Sequence, residues 1–159
     1  MKDRKAKNRK AKNRLPIILS WAAVLFWMGL IFYMSAQVAS QSDALSQGIA
    51  ERLFSAVAKV FPWMNVDNLQ SNFIVRKSAH FLSYLVLSVL TMNALRTCGV
   101  NGVRQVVAIA IGICALYAIS DEVHQLFVPG RSGQIKDVLL DSGGAIVGTV
   151  LYSLIERGR

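Results

Sequence analysis

Four stretches of the chain are apolar for long enough to cross a bilayer. Residues 15–34 read LPIILSWAAVLFWMGLIFYM without a single charge. Residues 79–95 read AHFLSYLVLSVLTMNAL, residues 103–120 read VRQVVAIAIGICALYAIS, and residues 138–155 read VLLDSGGAIVGTVLYSLI. A hydrocarbon core about 30 Å thick needs about 20 helical residues at 1.5 Å each, so these stretches read as transmembrane helices. The last three carry Ser, Thr, Asn and Gly, which suits a bundle: small residues permit close packing, and hydroxyls and amides hydrogen-bond between helices. The expected fold is therefore all-α, a polytopic membrane protein of about four transmembrane helices.

Between the first two spans a different period appears. Over residues 42–61, SDALSQGIAERLFSAVAKVF places Leu45, Ile49, Leu53, Val57 and Val60 at helical spacing, which predicts an amphipathic helix whose apolar face lies in the outer interface or closes over the bundle. Ser42 or Asp43 would cap it, and the FPWMN sequence that follows breaks it and offers Trp63 as an interfacial anchor. The first apolar stretch is longer than the 7–15 residues or so of a signal-peptide core, and no A-x-A cleavage site follows it, so it reads as an uncleaved anchor.

Composition agrees with the pattern: 159 residues, 53% hydrophobic and 17% charged, with a mean hydropathy of +0.41. Charge adds orientation. Eight Lys or Arg residues and one Asp precede Leu15, a block that favours the cytoplasmic side. With four crossings, twelve basic residues fall on the inner side and six on the outer, so both termini are expected in the cytoplasm. The expected layout is a basic cytoplasmic arm (1–14), a membrane domain (15–155) and a short cytoplasmic tail (156–159). The net charge of +9 then points to anionic lipid rather than nucleic acid, because the arm has no aromatic residue and no nucleic-acid-binding fold accompanies it. Cys98 and Cys114 fall in the inner loop and the third helix, where no disulfide is expected. No CxxC or HExxH spacing suggests a metal site.

The chemistry gathers at the outer ends of the helices. Lys77, His80 and Tyr84 lie at i, i+3 and i+7 on one face of the second helix, with Arg76 beside them. Asp121, His124 and Gln125 are expected to share a face of the third helix, with Glu122 a little aside. Pro129-Gly130 turns the chain, Arg131 follows, and Asp137 and Asp141 lie one helical turn apart on the fourth helix. Gly144 and Gly148, on the face of those carboxylates, form a G-x-x-x-G pair that lets another backbone approach, so Asp141 is expected to face protein. His80, His124 and Asp141 are expected to converge to within roughly 10 Å, since charges at membrane depth seek partners.

MSAQVASQS after the first helix, RKSAHFLSY at the second, and SDEVHQLFVPGRSGQIKDVLLDSGGAIVG across the third and fourth together resemble the VanZ-like family. The likeness spans residues 15–154 and rests on DE-x-HQ, PGR and D-x-x-x-D in fixed order. It implies a polytopic bacterial membrane protein of the cell envelope and, through the family's namesake, reduced susceptibility to teicoplanin; it supplies no catalytic assignment.

Three classes of function fit the residues. The first is a protein that binds an anionic headgroup, a lipid-linked wall precursor or a lipid-anchored glycopeptide through Arg76, Lys77 and Arg131, with Tyr84, Gln125, Asp137 and Asp141 around them. The second is a membrane hydrolase or transferase acting on such a lipid, with His80 and His124 as an acid/base pair and Asp121, Glu122, Asp137 and Asp141 orienting them or holding a divalent ion. A third, a proton-coupled carrier, calls for ionisable groups at the midplane, whereas these gather at one end.

Overall fold

The computed structural model describes residues 2–38, 48 and 71–158. The expected amphipathic helix over 42–61 and Trp63 lie outside the described residues, Gly48 apart. Within them the chain forms four long helices: α1 (Lys2–Ser35), α2 (Ser71–Thr97), α3 (Val103–Gln125) and α4 (Ile135–Arg157). No strand occurs among the described residues. Arg14–Ser35, Val75–Thr97, Val103–Gln125 and Ile135–Arg157 are each long and apolar enough to span a membrane, so the protein is a multi-pass membrane protein. The helices run past the apolar stretches at most of their ends. Charged residues such as Arg76, Lys77, Asp121 and Glu122 lower hydropathy without interrupting helical hydrogen bonding, so the helices continue through them and carry ionisable groups near the start of α2 and on the last turn of α3.

α2 is the hub, with 39% of its span buried against 11% for α1, and it packs against all three other helices. Side-chain bonds fix the directions. Ser35 reaches Asp121 and Tyr117 reaches Met28, so α1 and α3 run parallel. Lys77 pairs with Asp137 and Arg96 with Glu156, so α2 and α4 run parallel to each other and opposite to the first pair.

The closest approach is between α2 and α4. A Cβ added at Gly144 would run into the carbonyl oxygen of Phe81, and one at Gly148 into the Leu85 carbonyl and the Ser88 hydroxyl. The two glycines thus let the backbones touch and set the register. Val24, Ile31, Tyr84, Leu87, Cys114, Ala118 and Ala145 fill the core beside this seam. Exposed Leu, Ile, Val and Phe side chains on α1, α3 and α4 form the surface offered to lipid.

Both described turns use a left-handed glycine. After α2 the amide of Val100 donates to Leu95 and that of Gly99 to Arg96, with Gly99 at φ 88°, the arrangement of a Schellman cap. After α3 the amide of Arg131 donates to the Val128 carbonyl at 3.1 Å across Pro129-Gly130, with Gly130 at φ 76°, as a type II turn requires.

The seam is directly testable. Gly148→Ala is expected to cost about 1–3 kcal/mol, as overpacking does. Gly112→Ala, on α3 with nothing within 4 Å of the added carbon, should be neutral or mildly stabilising. The measure is folded monomer remaining after stepwise heating in detergent, and equal melting of the two variants would contradict the packing described.

Candidate functional site

At the end of the bundle where α1 and α3 finish and α2 and α4 begin, the ionisable residues assemble. The α2–α4 register aligns two rungs: Lys77 Nζ pairs with Asp137 Oδ1, and one helical turn deeper His80 Nδ1 lies 3.7 Å from Asp141 Oδ2. Tyr84, the next residue on this face, is fully buried, and no hydrogen-bond partner among the described residues reaches its hydroxyl. Asp141 is also fully buried, and no hydrogen bond from the described residues reaches either of its carboxylate oxygens, so the His80 imidazole is the titratable ring facing it.

The end of α3 supplies Asp121, Glu122 and Gln125, all buried. Asp121 Oδ2 accepts from the Ser35 hydroxyl at 2.8 Å and from Gln125 Nε2 at 3.3 Å, which ties α1 to α3. Glu122 Oε2 accepts the backbone N–H of Gln134 at 2.8 Å; Gln134 is the N-cap residue of α4, so this carboxylate satisfies one of the amides that a helix start leaves open. The same junction is tight at Gly133, where an added Cβ would stand 2.5 Å from the Glu122 carbonyl oxygen. Arg131 donates through Nε to the Gln37 carbonyl at 2.9 Å and through a terminal nitrogen to Met34 at 3.4 Å, covering the carbonyl end of α1 where a cation is favoured.

These groups enclose a cavity of about 80 Å³ lined by Arg76, Lys77, His80, Gln125, Gly130, Arg131, Ser132, Gln134 and Asp137. Its wall is dominated by three basic side chains, Arg76, Lys77 and Arg131, with one acidic side chain, Asp137, bound to Lys77.

Of the residues singled out from sequence, Arg76, Lys77, His80, Gln125, Arg131 and Asp137 line the cavity, and Tyr84, Asp121, Glu122 and Asp141 are buried at this end of the bundle. His124 is placed differently. Its ring packs on Phe32 of α1 with centroids 4.4 Å apart, and it does not line the cavity. Helical geometry explains the exchange of places with Glu122. At about 100° per residue, positions 121, 122 and 125 span one sector, while 124 falls outside it on the flank toward α1. Both tie points on α1, Ser35 and Phe32, escaped sequence reasoning, since each reads as the tail of an apolar run. Ser132 and Gln134 were also missed, although the PGR turn that carries them stood out. Among the described residues, no three His, Cys, Asp or Glu side chains are grouped to hold a metal ion.

Four membrane-spanning helices that close a polar, cation-lined cavity at one end define a polytopic membrane protein with a polar pocket at one end of its bundle. The chain belongs to the VanZ/LLP1 family, whose model matches residues 20–156. No curated protein and no solved structure matches the chain.

The turn that carries Arg131 and Ser132 is held by Glu122, and this yields a prediction. Glu122→Ala removes the acceptor of the Gln134 amide, at an expected cost of about 1–3 kcal/mol. Glu122→Gln keeps an oxygen acceptor and should recover most of the loss. Tryptic cleavage after Arg131 in detergent should accelerate in the alanine variant and return close to wild type in the glutamine variant. Identical cleavage in all three proteins would rule out this anchoring role.

Proposed function

We propose that the protein binds the phosphate-bearing headgroup of a membrane lipid or lipid-linked envelope precursor at the outer face of a bacterial cytoplasmic membrane, with both termini in the cytoplasm. The observation that carries this reading is the convergence of Arg76, Lys77 and Arg131 on one cavity at a helix end. Guanidinium groups match phosphate oxygens in pairs, and an ammonium adds a compact charge. The location supports the same ligand. The cavity lies at the end of helices whose outward surfaces are apolar, so a ligand with its charge in the cavity could leave a hydrocarbon tail among lipids. Binding at this level also connects with the teicoplanin effect that the family's namesake suggests, since a protein holding a lipid-linked precursor or a lipid-anchored glycopeptide alters what the antibiotic meets.

Orientation is tested by labelling intact cells with an impermeant maleimide. Ser132→Cys, beside the cavity, should react, whereas the exposed native Cys98 at the opposite end should not. The reverse pattern would place the cavity in the cytoplasm and defeat the outer-face reading.

Binding is tested by titrating the detergent-solubilised protein with short-chain phosphatidic acid and, for comparison, the matching diacylglycerol. Arg76→Gln should weaken phosphatidic acid by about tenfold, the effect of losing one charge-assisted contact of 1.5 kcal/mol or so. It should leave diacylglycerol unaffected, and added salt should weaken phosphatidic acid binding more in the wild type than in the variant, which keeps Lys77 and Arg131. Equal affinity for the two lipids would remove the phosphate reading. In cells, teicoplanin tolerance should fall with Arg76→Gln at unchanged protein abundance, and tolerance that follows abundance alone would count against a role for the pocket.

A further inference from the structure

The chain has two histidines, and the structure separates their environments. His80 lines the cavity with its Nδ1 held 3.7 Å from Asp141, whereas His124 is stacked on Phe32 away from it. A fully buried carboxylate directed at one ring nitrogen selects the tautomer with its proton there. The other nitrogen, Nε2, then carries the lone pair, on a ring that lines the same cavity as three basic side chains suited to the oxygens of a phosphoryl group.

We propose, building on the lipid-phosphate reading above, that this site is a lipid diphosphatase in which His80 is the nucleophile and Asp141 its positioning residue. In the first step Nε2 attacks the terminal phosphorus, the N–P bond forms, and the bridging P–O bond breaks with its electron pair leaving on the lipid monophosphate. The Nδ1 proton stays in place toward Asp141, which balances the charge growing on the ring. In the second step water attacks the phosphohistidine, orthophosphate departs, Nε2 recovers its lone pair, and the proton lost by water goes to phosphate or solvent.

The choice of a diphosphate over a simple phosphoester follows from what the cavity lacks. In-line displacement puts the leaving group opposite His80, and an alkoxide leaving there calls for a general acid. The second histidine is out of the cavity, and the carboxylate that lines it, Asp137, is bound to Lys77. A phosphate leaving group departs as a stable anion without being protonated, and Arg76, Lys77 and Arg131 favour that charge.

The experiment uses full-length protein in detergent with farnesyl diphosphate labelled with ³²P at the terminal phosphate. The expected result is release of labelled orthophosphate through an acid-labile, alkali-stable phosphoprotein, located at His80 by mass spectrometry. His80→Gln, which keeps an amide beside Asp141, should abolish labelling while still binding farnesyl diphosphate. Asp141→Asn should slow labelling roughly 10⁴-fold, as loss of the carboxylate that sets a histidine's tautomer does, and change the pH profile of the labelling step. Acid-stable label on Ser132, label on His124, or faster release from farnesyl monophosphate than from the diphosphate would each overturn the proposal. Wild-type protein that binds the diphosphate yet neither becomes labelled nor releases phosphate would also overturn it, leaving the binding reading intact. Absence of binding would reject both.

Discussion

Two glycines let α4 lie against the backbone of α2, and the geometry of the polar end depends on that contact. In lipid, burying one apolar helix face against another gains little over leaving it among hydrocarbon tails, so close backbone packing and hydrogen bonds decide how helices meet. Gly144 against Phe81 and Gly148 against Leu85 and Ser88 fix the register of the two helices. With that register set, Asp137 falls opposite Lys77, Asp141 opposite His80 and, at the far end, Glu156 lies 2.5 Å from Arg96. Displacing α4 by one turn, about 5.4 Å, would separate these pairs and leave the buried Asp141 without the imidazole that faces it.

The three buried acids divide different tasks among themselves. Asp121 accepts from a hydroxyl and an amide and so joins α1 to α3, while Glu122 accepts a main-chain amide and holds the following turn. Asp141 alone is directed at a titratable ring. A carboxylate in a bilayer is costly, and each of these is found where a distinct donor or imidazole stands against it. The basic side chains line the cavity instead, with Asp137 bound to Lys77 among them, so the cavity wall is mainly basic while the buried acids hold helices and turn together.

Much of this was legible in the residues. Long apolar runs identified the spans, the G-x-x-x-G spacing identified the face of α4 that meets a neighbour, and the i, i+3, i+7 spacing put Lys77, His80 and Tyr84 together. What escaped was the rotation of α3. A helical wheel ranks positions by angle but does not say where the neighbouring helices stand, so Glu122 was expected aside and His124 inward, whereas packing against α1 and the 126–134 turn reverses them. The docking of Ser35 and Phe32 was hidden for the same reason, because a serine and a phenylalanine at the end of a greasy run carry no periodic signal of their own. The helix ends were underestimated because hydropathy measures lipid preference, not backbone conformation.

α1 is held in a way that the other helices are not. Little of its membrane span is buried, yet polar bonds reach it at successive depths: Asn93 to Ser20, Trp27 to the Ser83 carbonyl, Tyr117 to the Met28 carbonyl, Ser35 to Asp121, and Arg131 to Met34 and Gln37. A smooth apolar rod among lipids is free to spin about its axis and slide along it. Contacts staggered in this manner act as the teeth of a key, admitting one angle and one height. α1 therefore has one seat, defined only when α2, α3 and the turn after α3 are all in place.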